Sequence, residues 1–583
     1  SLESNHQLQK LVGMDNYATG IEAREQACLD LMNELQRSTG LATPSPREIE
    51  DHDAILVLGE DPVQSAARLG LNIRQAALAR RKALGERIGV PAWNADALKT
   101  LAQDRYHPLF IAWPAPTDLD DVAAARHALA PDDIARLGFA VAHHIDPTAP
   151  AVDDLSSDLA EAAQRIADAL MAAERPLVVS GGSLLSETVL DAAGNIARAL
   201  ARRAKRGGLV LIRREANSTG LSLMGGHSLD WALDELDQGH ADALVVLEND
   251  LYQRLPAARV NAALARTDII VALDHQHTAT TAKARFTLSA ASFAESDGTL
   301  VNLEGRAQRF FQVYDPAYLR PETRIHESWR WLHVLTVNLW GQNTSDITLD
   351  TVIGSCVSDH PVLAGMVNAA PGANFRIDGQ RLAREPHRYS GRTAMRANLD
   401  VSEPRPMQDP DTAFAFSMEG YSGYQEARQQ VPFAWAPGWN SPQAWNKFTD
   451  EVGGHLRGGD PGVRLIPREP GPHQYSRPSL SADTTHGLRA LILPRLFGGE
   501  ETSSMAPPIQ QRTEAPWLTL GHEDALRLGL RSGDLVSLAG ERALPVREQE
   551  DWPTGWVGLP AALIPGLLQG DAVTLQQAVE GAP

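Results

Sequence analysis

The chain has 583 residues and a formal net charge of −20, from 53 basic and 73 acidic side chains, and 43% of it is hydrophobic. That length predicts three or four domains of roughly 100–200 residues, and that apolar fraction allows full-sized cores. The negative field disfavours nucleic acid and anionic lipid as partners, and no uncharged apolar run approaches the about 18 residues that a membrane span needs.

No charged-then-apolar leader opens the chain, which argues against secretion. It starts at Ser1 without a Met, reading as the interior of a longer protein. The two cysteines, Cys28 and Cys356, stand far apart. This suits a reducing compartment and is too few for an iron–sulfur cluster held by about four thiolates.

In chain order, the first strong signal is Asp53-Ala-Ile-Leu-Val-Leu58, an apolar run entering the turn Gly59-Glu60-Asp61. A helical pattern follows over 65–81, then a second apolar strand over 108–113. Further strands are expected at 176–182 and 208–212, with a helix over 187–203 between them. Residues 242–253 then repeat 53–64 without a gap, with six of twelve positions identical. A helix over 256–266 and a strand over 268–273 follow, as after the first copy. Buried-type strands separated by helices are the pattern of a parallel sheet. The fold class expected is α/β, with two pseudo-symmetric doubly wound domains, unless the repeat is only the likeness of one βαβ unit to another. A helix is expected over 327–339. From about 340 to 470, Pro, Gly, Trp and Arg become frequent and periodicity fades, so an extended irregular segment is expected. From about 475, short strands alternate with turns, at 516–520, 535–538, 543–546 and 555–559 with a helix over 523–528, as in a small β-barrel-like module. The domains expected are therefore 1–160, 161–345, 346–474 and 475–583.

Candidate sites are few. Gly59 and the pair Gly181/Gly182 follow strands where a backbone turn can approach a phosphate, yet Glu60 and Asp61 would repel one. Tight-turn chemistry is the alternative reading at both. His275 and His277 follow the strand ending at Asp274 and form either loop hydrogen bonds or a two-His metal site with Asp274 as its third ligand. His143 and His144 read as a helix end. Glu295-Ser-Asp-Gly-Thr-Leu-Val-Asn-Leu-Glu-Gly-Arg306 reads as a structured loop without a nucleophile–base pair. Six arginines between Arg376 and Arg396, among them Arg384, Arg388, Arg392 and Arg396, form a basic island, followed by Trp435, Trp439 and Trp445. They suit a docking surface or pairing with the chain's own acids.

The stretch 284–308, Ala-Arg-Phe-Thr-Leu-Ser…Glu-Ser-Asp-Gly-Thr-Leu-Val-Asn-Leu-Glu-Gly-Arg-Ala-Gln, resembles a signature of the molybdopterin oxidoreductases. Glu295, Gly298, Thr299, Asn302, Glu304, Gly305, Arg306 and Gln308 match it, while Arg285 and Ser289 stand where that family has Asp and Pro. The 53–62 stretch resembles the family's strand ending in Gly-x-Asn-Pro, with Asp61 in place of Asn, and 521–538 resembles the start of its C-terminal barrel. The text around 375–420 and 430–465, and Leu2–Gly13, is similar to one branch, the large iron–sulfur subunits of bacterial NADH-quinone oxidoreductases. That resemblance covers essentially the whole chain. It implies [2Fe-2S] and [4Fe-4S] clusters in an N-terminal part outside these residues, and partners among the other peripheral-arm subunits of complex I, including the flavin- and NADH-binding one. It also implies a peripheral place on the cytoplasmic face of the plasma membrane. No catalytic residue, metal or bound cofactor is expected within the 583 residues. A vestigial cofactor cleft is expected around Gly59, Glu60, Asp61, Gly181, Gly182, Asn217 and Gly220. The alternative is an active enzyme of formate dehydrogenase type with a bis-guanine-dinucleotide molybdopterin between the two repeats.

Overall fold

The computed structural model describes residues 1–341 (other than 93, 154, 204 and 205), 347–372, 416–417, 420–421, 461–469, 471, 474–478, 487–538, 543–561 and 566–577. They fall into two compact units, one of Ser1–Leu78, His107–Ala369 and Val463–Pro583, the other of Ala79–Tyr106 and Ala370–Gly462. In the smaller unit, the helices Arg80–Glu86 and Ala95–Ala102 meet at Gly85, where a Cβ would strike Leu98. The arginine island and tryptophans proposed for docking (Arg384, Arg388, Arg392, Arg396, Trp435 and Trp439) lie outside the described residues.

The larger unit is built on a five-stranded parallel sheet. Its strands are β1 (Ala54–Leu58), β2 (Leu109–Ala112), β3 (Ala125–His127), β4 (Pro176–Gly181) and β5 (Gly208–Ile212), in the order β3-β2-β1-β4-β5. Every residue of β1, β2, β4 and β5 is buried. This is why these strands read as continuous apolar runs without alternation: helices cover both faces. The helices Pro131–Ile145 and Glu187–Arg202 pack on each other, and Ala23–Ser38 packs on the latter. The chain passes through two helices after β3 and returns to the free edge of β1 as β4. The sheet thus takes strands from both sides of the boundary expected at 160. Strand order reverses between β1 and β4, so their carboxyl ends form a switch point where open α/β sheets bind ligands.

A second parallel sheet holds β6 (Ala243–Leu247), β7 (Ile269–Asp274) and β8 (Phe286–Ser289), in that order. It repeats β1, β2 and β3 element for element, down to a 3₁₀ turn before the third strand (Asp120–Val122 and Thr281–Lys283). The repeat extends to backbone detail: Gly59 has φ +73° and its counterpart Glu248 has φ +46°.

Two expectations change. The 295–308 stretch is not a loop but an antiparallel hairpin of β9 (Gly298–Val301) and β10 (Arg306–Phe310), extended by Val463–Arg464. Its turn sits at Asn302–Gly305, with Gly305 at φ +71°. Within the segment expected to be irregular, Leu349–Asp359 is a helix opened by a capping box of Thr348 and Thr351. It buries Val352, Ile353 and Cys356, three apolar positions whose helical spacing is too brief to stand out in sequence.

The C-terminal module is a seven-stranded mixed sheet. The strands at its two ends, Ala572–Val573 and Leu575–Gln577, are one residue apart in sequence, so the sheet curls into a nearly closed barrel. Leu518, Leu520, Val536, Leu538, Val546, Val557 and Leu559 alternate inward to fill it.

Candidate functional site

The switch point brings Gly59, Glu60, Asp61, Gly181 and Gly182 together. The backbone at Gly59 is left-handed, and a Cβ there would lie 2.7 Å from Val189 Cγ1, so glycine is required on two counts. At Gly181 a Cβ would collide with Glu60 Oε2 and stand 2.7 Å from the Ile212 carbonyl. The space is there, but a carboxylate takes it. Glu60 is wholly buried and accepts hydrogen bonds from the Ser183 hydroxyl and, at 3.3 Å, the Ser183 amide. Burial pushes its pKa up to about 7, against those hydrogen bonds, which favour the charged form.

Asp61 caps the short helix Pro62–Ser65, accepting from the amides of Val63 at 3.1 Å and Gln64 at 3.3 Å. Burial raises its pKa to about 6. The second copy repeats this. Asp250 caps Leu251–Arg254 and accepts from Thr280 Oγ1 at 2.7 Å and the Thr280 amide at 3.2 Å. A helix N-terminus beside a sheet switch point is where an anion would sit; here both first-turn amide sets already face the chain's own carboxylates.

Next to these turns runs a cleft of about 530 Å³ lined by residues of Leu2–Val12, the carboxyl ends of β6 and β7, and Arg214, Glu215, Arg254 and Glu501. A smaller cavity of about 260 Å³ lies by Gln64, Ser183, Arg214, Arg495 and Glu500. Arg254 is the hub of the larger cleft. Its guanidinium donates to Glu215 and, at 2.8 Å, to Asn249 Oδ1, and lies 3.9 Å from Glu501. Arg214 pairs with the buried Glu25 at 2.9 Å. Burial pushes the Glu25 carboxyl up, with Arg214 acting against it.

Asn217 and Gly220 do not join the Gly59 group. Asn217 Oδ1 accepts from the Val301 amide at 2.9 Å, and Gly220 packs where a Cβ would strike that same Asn217 side chain. They anchor the 298–310 hairpin. Its motif residues have structural partners: Glu295 takes the Ser292 amide at 3.0 Å, Asn302 Oδ1 takes the amides of Glu304 and Arg306, and Glu304 pairs with Arg306 at 2.8 Å. Gln308 lies in β10 opposite Leu300. Thr299 donates through its amide (2.8 Å) and hydroxyl (2.6 Å) to the wholly buried Glu3. Gly298 meets Ser1 too closely for any side chain. The hairpin therefore grips the helix Leu2–Val12.

Sequence reasoning missed Glu3, Arg213, Glu215 and Arg254. Arg213 is buried without a carboxylate among its partners, donating to the carbonyls of Leu211 (2.6 Å) and Leu303 (3.0 Å) and to Asn33 and Gln36. Burial lowers its pKa to about 9. The available signal was Arg213-Arg214-Glu215 directly after a buried strand, at its ligand-facing end. His143 and His144 occupy the last turn of Pro131–Ile145, as expected. His275 Nδ1 lies 3.5 Å from Asp274 Oδ1, and His277 is exposed. Among the described residues no three or more His, Cys, Asp or Glu side chains are grouped to hold a metal ion.

The paired parallel sheets and the hairpin motif belong to a recognisable class. Residues 140–321, which contain β4 to β10, match the molybdopterin oxidoreductase family. Acetylene hydratase from Pelobacter acetylenicus aligns with 96% of this chain and 77% of its own at 13% identity and a TM-score of 0.47. The chain is 53% identical to the NADH-quinone oxidoreductase G subunit of Pseudomonas putida, over 100% of this chain and 65% of that protein. It is 49% identical to the corresponding G subunits of Salmonella typhimurium and Escherichia coli K12, over 97% of this chain and 63% of each. Along its whole length, then, the chain is a relative of the NADH-quinone oxidoreductase G subunits, and it spans just under two-thirds of the length of those relatives.

A molybdopterin dinucleotide does not fit the donor set. The backbone amides and the Ser183 hydroxyl at the two turns, the groups that would donate to its phosphates, already donate to Glu60, Asp61 and Asp250. Cys28, the one thiol near the switch point, is buried and its pKa is pushed up to about 12, the reverse of what a thiolate ligand needs.

Proposed function

We propose that the chain is a non-catalytic, structural and assembly portion of the large iron–sulfur subunit of a proton-translocating NADH:quinone oxidoreductase, carrying no cofactor of its own. The observation that carries this is the occupation of the switch point by Glu60 and Asp61 in a chain related throughout to the large iron–sulfur subunits. The [2Fe-2S] and [4Fe-4S] clusters then belong to the third of the subunit that lies outside these residues, and pass electrons from NADH and flavin towards quinone. The partners proposed are the other peripheral-arm subunits, including the flavin- and NADH-binding one. The location proposed is peripheral, on the cytoplasmic face of the plasma membrane. Among the described residues no helix is long and apolar enough to cross a bilayer. The C-terminal domain is proposed to begin near 475. Arg384, Arg388, Arg392, Arg396, Trp435 and Trp439 are proposed as a docking surface.

Molybdenum analysis and pterin fluorescence on the purified protein test the central claim; stoichiometric metallopterin would sink it. Charge reversal at Arg388 and Arg392 should weaken co-purification with neighbouring subunits while leaving the fold intact. Undiminished assembly would remove that surface from the proposal. No comparison favours the active formate dehydrogenase type.

A further inference from the structure

The cleft contains a cluster of paired charges that none of the chemistry above uses, and it joins parts of the chain far apart in sequence. Arg254 belongs to the second repeat. It holds Glu215, from the segment after β5, and Asn249, whose amide donates at 3.0 Å to the Gly20 carbonyl ahead of the helix Ala23–Ser38. On its other side it faces Glu501, at the start of the short helix Glu501–Ser504 in the C-terminal module. Neighbouring contacts close the same seam: the Gln276 amide donates to the Thr502 carbonyl, Gly566 packs on the Leu255 backbone too closely for a side chain, and Arg24 donates at 2.7 Å to the Gln569 carbonyl.

We propose that the Glu215–Arg254–Glu501 cluster is a charge lock that holds the C-terminal module against the two repeats along the wall of the cleft. Arg254 suits the role because a planar guanidinium presents donors in several directions at once and stays charged when desolvated. Its side chain is 18% exposed, so most of it is removed from water, and the acids on both sides hold its proton tightly. Asp250, Asp274, Glu25 and Glu500 also face this region, with Arg214 the nearby compensating cation. Burial raises Glu501 to about 7 even with Arg254 close by, as expected of a carboxylate pressed into an acid-rich seam. Arg214 pairs with Glu25 at 2.9 Å and also acts on Glu215, whereas Arg254 alone joins Glu215 to Glu501 among the described ion pairs.

The inference rests on the reading that the cleft holds no cofactor. Pterin analysis tests that reading, and the following measurement tests the lock by itself. Hydrogen exchange is followed by mass spectrometry on the full chain carrying Arg254→Met or Glu501→Gln. In Arg254→Met, amides of 499–505 and 249–254 should exchange at least tenfold faster, while β1 and β4 keep their wild-type rates. In Glu501→Gln, a change at a partly exposed position that the fold tolerates, only 499–505 should accelerate, and by less. Wild-type exchange at 499–505 in Glu501→Gln, or acceleration spread equally over β1 and β4 in either variant, would overturn the lock.

Discussion

Replacing Glu60 by Gln tests whether the switch point holds an ionisable group that the fold would rather keep neutral. In the folded chain burial lifts this carboxyl from an ordinary 4.5 to about 7. Between those values the folded state binds a proton that the unfolded chain has already released. Stability from this group is therefore fully present below about 4.5 and is lost as pH rises through 7. The difference of 2.5 in pKa, at about 1.4 kcal/mol each, corresponds to about 3 kcal/mol in all. Linkage places about 1.4 kcal/mol of that between pH 6 and pH 8.5, a range clear of the isoelectric point near 5.4, where solubility is least. Gln keeps the shape and can still accept from the Ser183 amide, but has no proton to lose. Urea unfolding of both proteins at pH 6, 7 and 8.5 should show the variant gaining on the wild type across the series and exceeding it at pH 8.5. Parallel pH profiles, or a variant less stable than wild type at pH 8.5, would refute the argument.

Thr299→Val removes the hydroxyl that donates to buried Glu3 and accepts from Arg309, and leaves that carboxylate short of a donor. Denaturant titration should register a loss of about 2 kcal/mol. Gly181→Ala forces a methyl group onto the Glu60 carboxylate and the Ile212 carbonyl and should cost about 1–3 kcal/mol. Adding Glu60→Ala should restore part of it, so a double-mutant cycle with no coupling would contradict the geometry. Asp61→Ala and Asp250→Ala each delete a helix cap and should each cost about 1 kcal/mol, while Asp61→Asn and Asp250→Asn keep most of the stability in the same urea series.

The first sheet was legible because its long strands are buried along their whole length, the edge strand β5 included, so Ala54–Leu58, Pro176–Gly181 and Gly208–Ile212 show as apolar runs. The repeat was legible because β1 and β6 share an apolar strand entered from an Asp and leaving into a turn and an Asp cap, although β1 is buried throughout and β6 only at Val246. The domain boundary was harder to read: which edge of β1 receives β4 depends on packing between helices, and no local residue records it. The 298–310 hairpin was read as a loop because its strands are only four and five residues long and carry Glu, Arg and Gln in place of an alternating apolar pattern. In the candidate site, the glycines announced themselves by residue type. Arg254 did not, since an arginine in an Ala/Arg-rich helical stretch looks like any solvated charge until Glu215 and Glu501 arrive from segments 39 and 247 positions away.

The two copies of the repeat also separate what the backbone needs from what a ligand would need. After β1 and after β6 the chain makes the same left-handed step, with Gly59 in one copy and Glu248 in the other. A side chain there costs about 1 kcal/mol, and in the second copy a hydrogen bond from Ser328 to Glu248 offsets it. The next residue differs completely: Glu60 turns into the sheet and is wholly buried, while Asn249 reaches across to Gly20 and Arg254. The residue after that is Asp in both, and in both it caps the following helix. The turn and the cap are therefore the parts of this strand–turn–helix unit that the fold itself demands. The position between them is free to vary, and a ligand's phosphate would be read by that position and by the amides the cap now covers. In this chain both copies use those groups to bind the protein to itself.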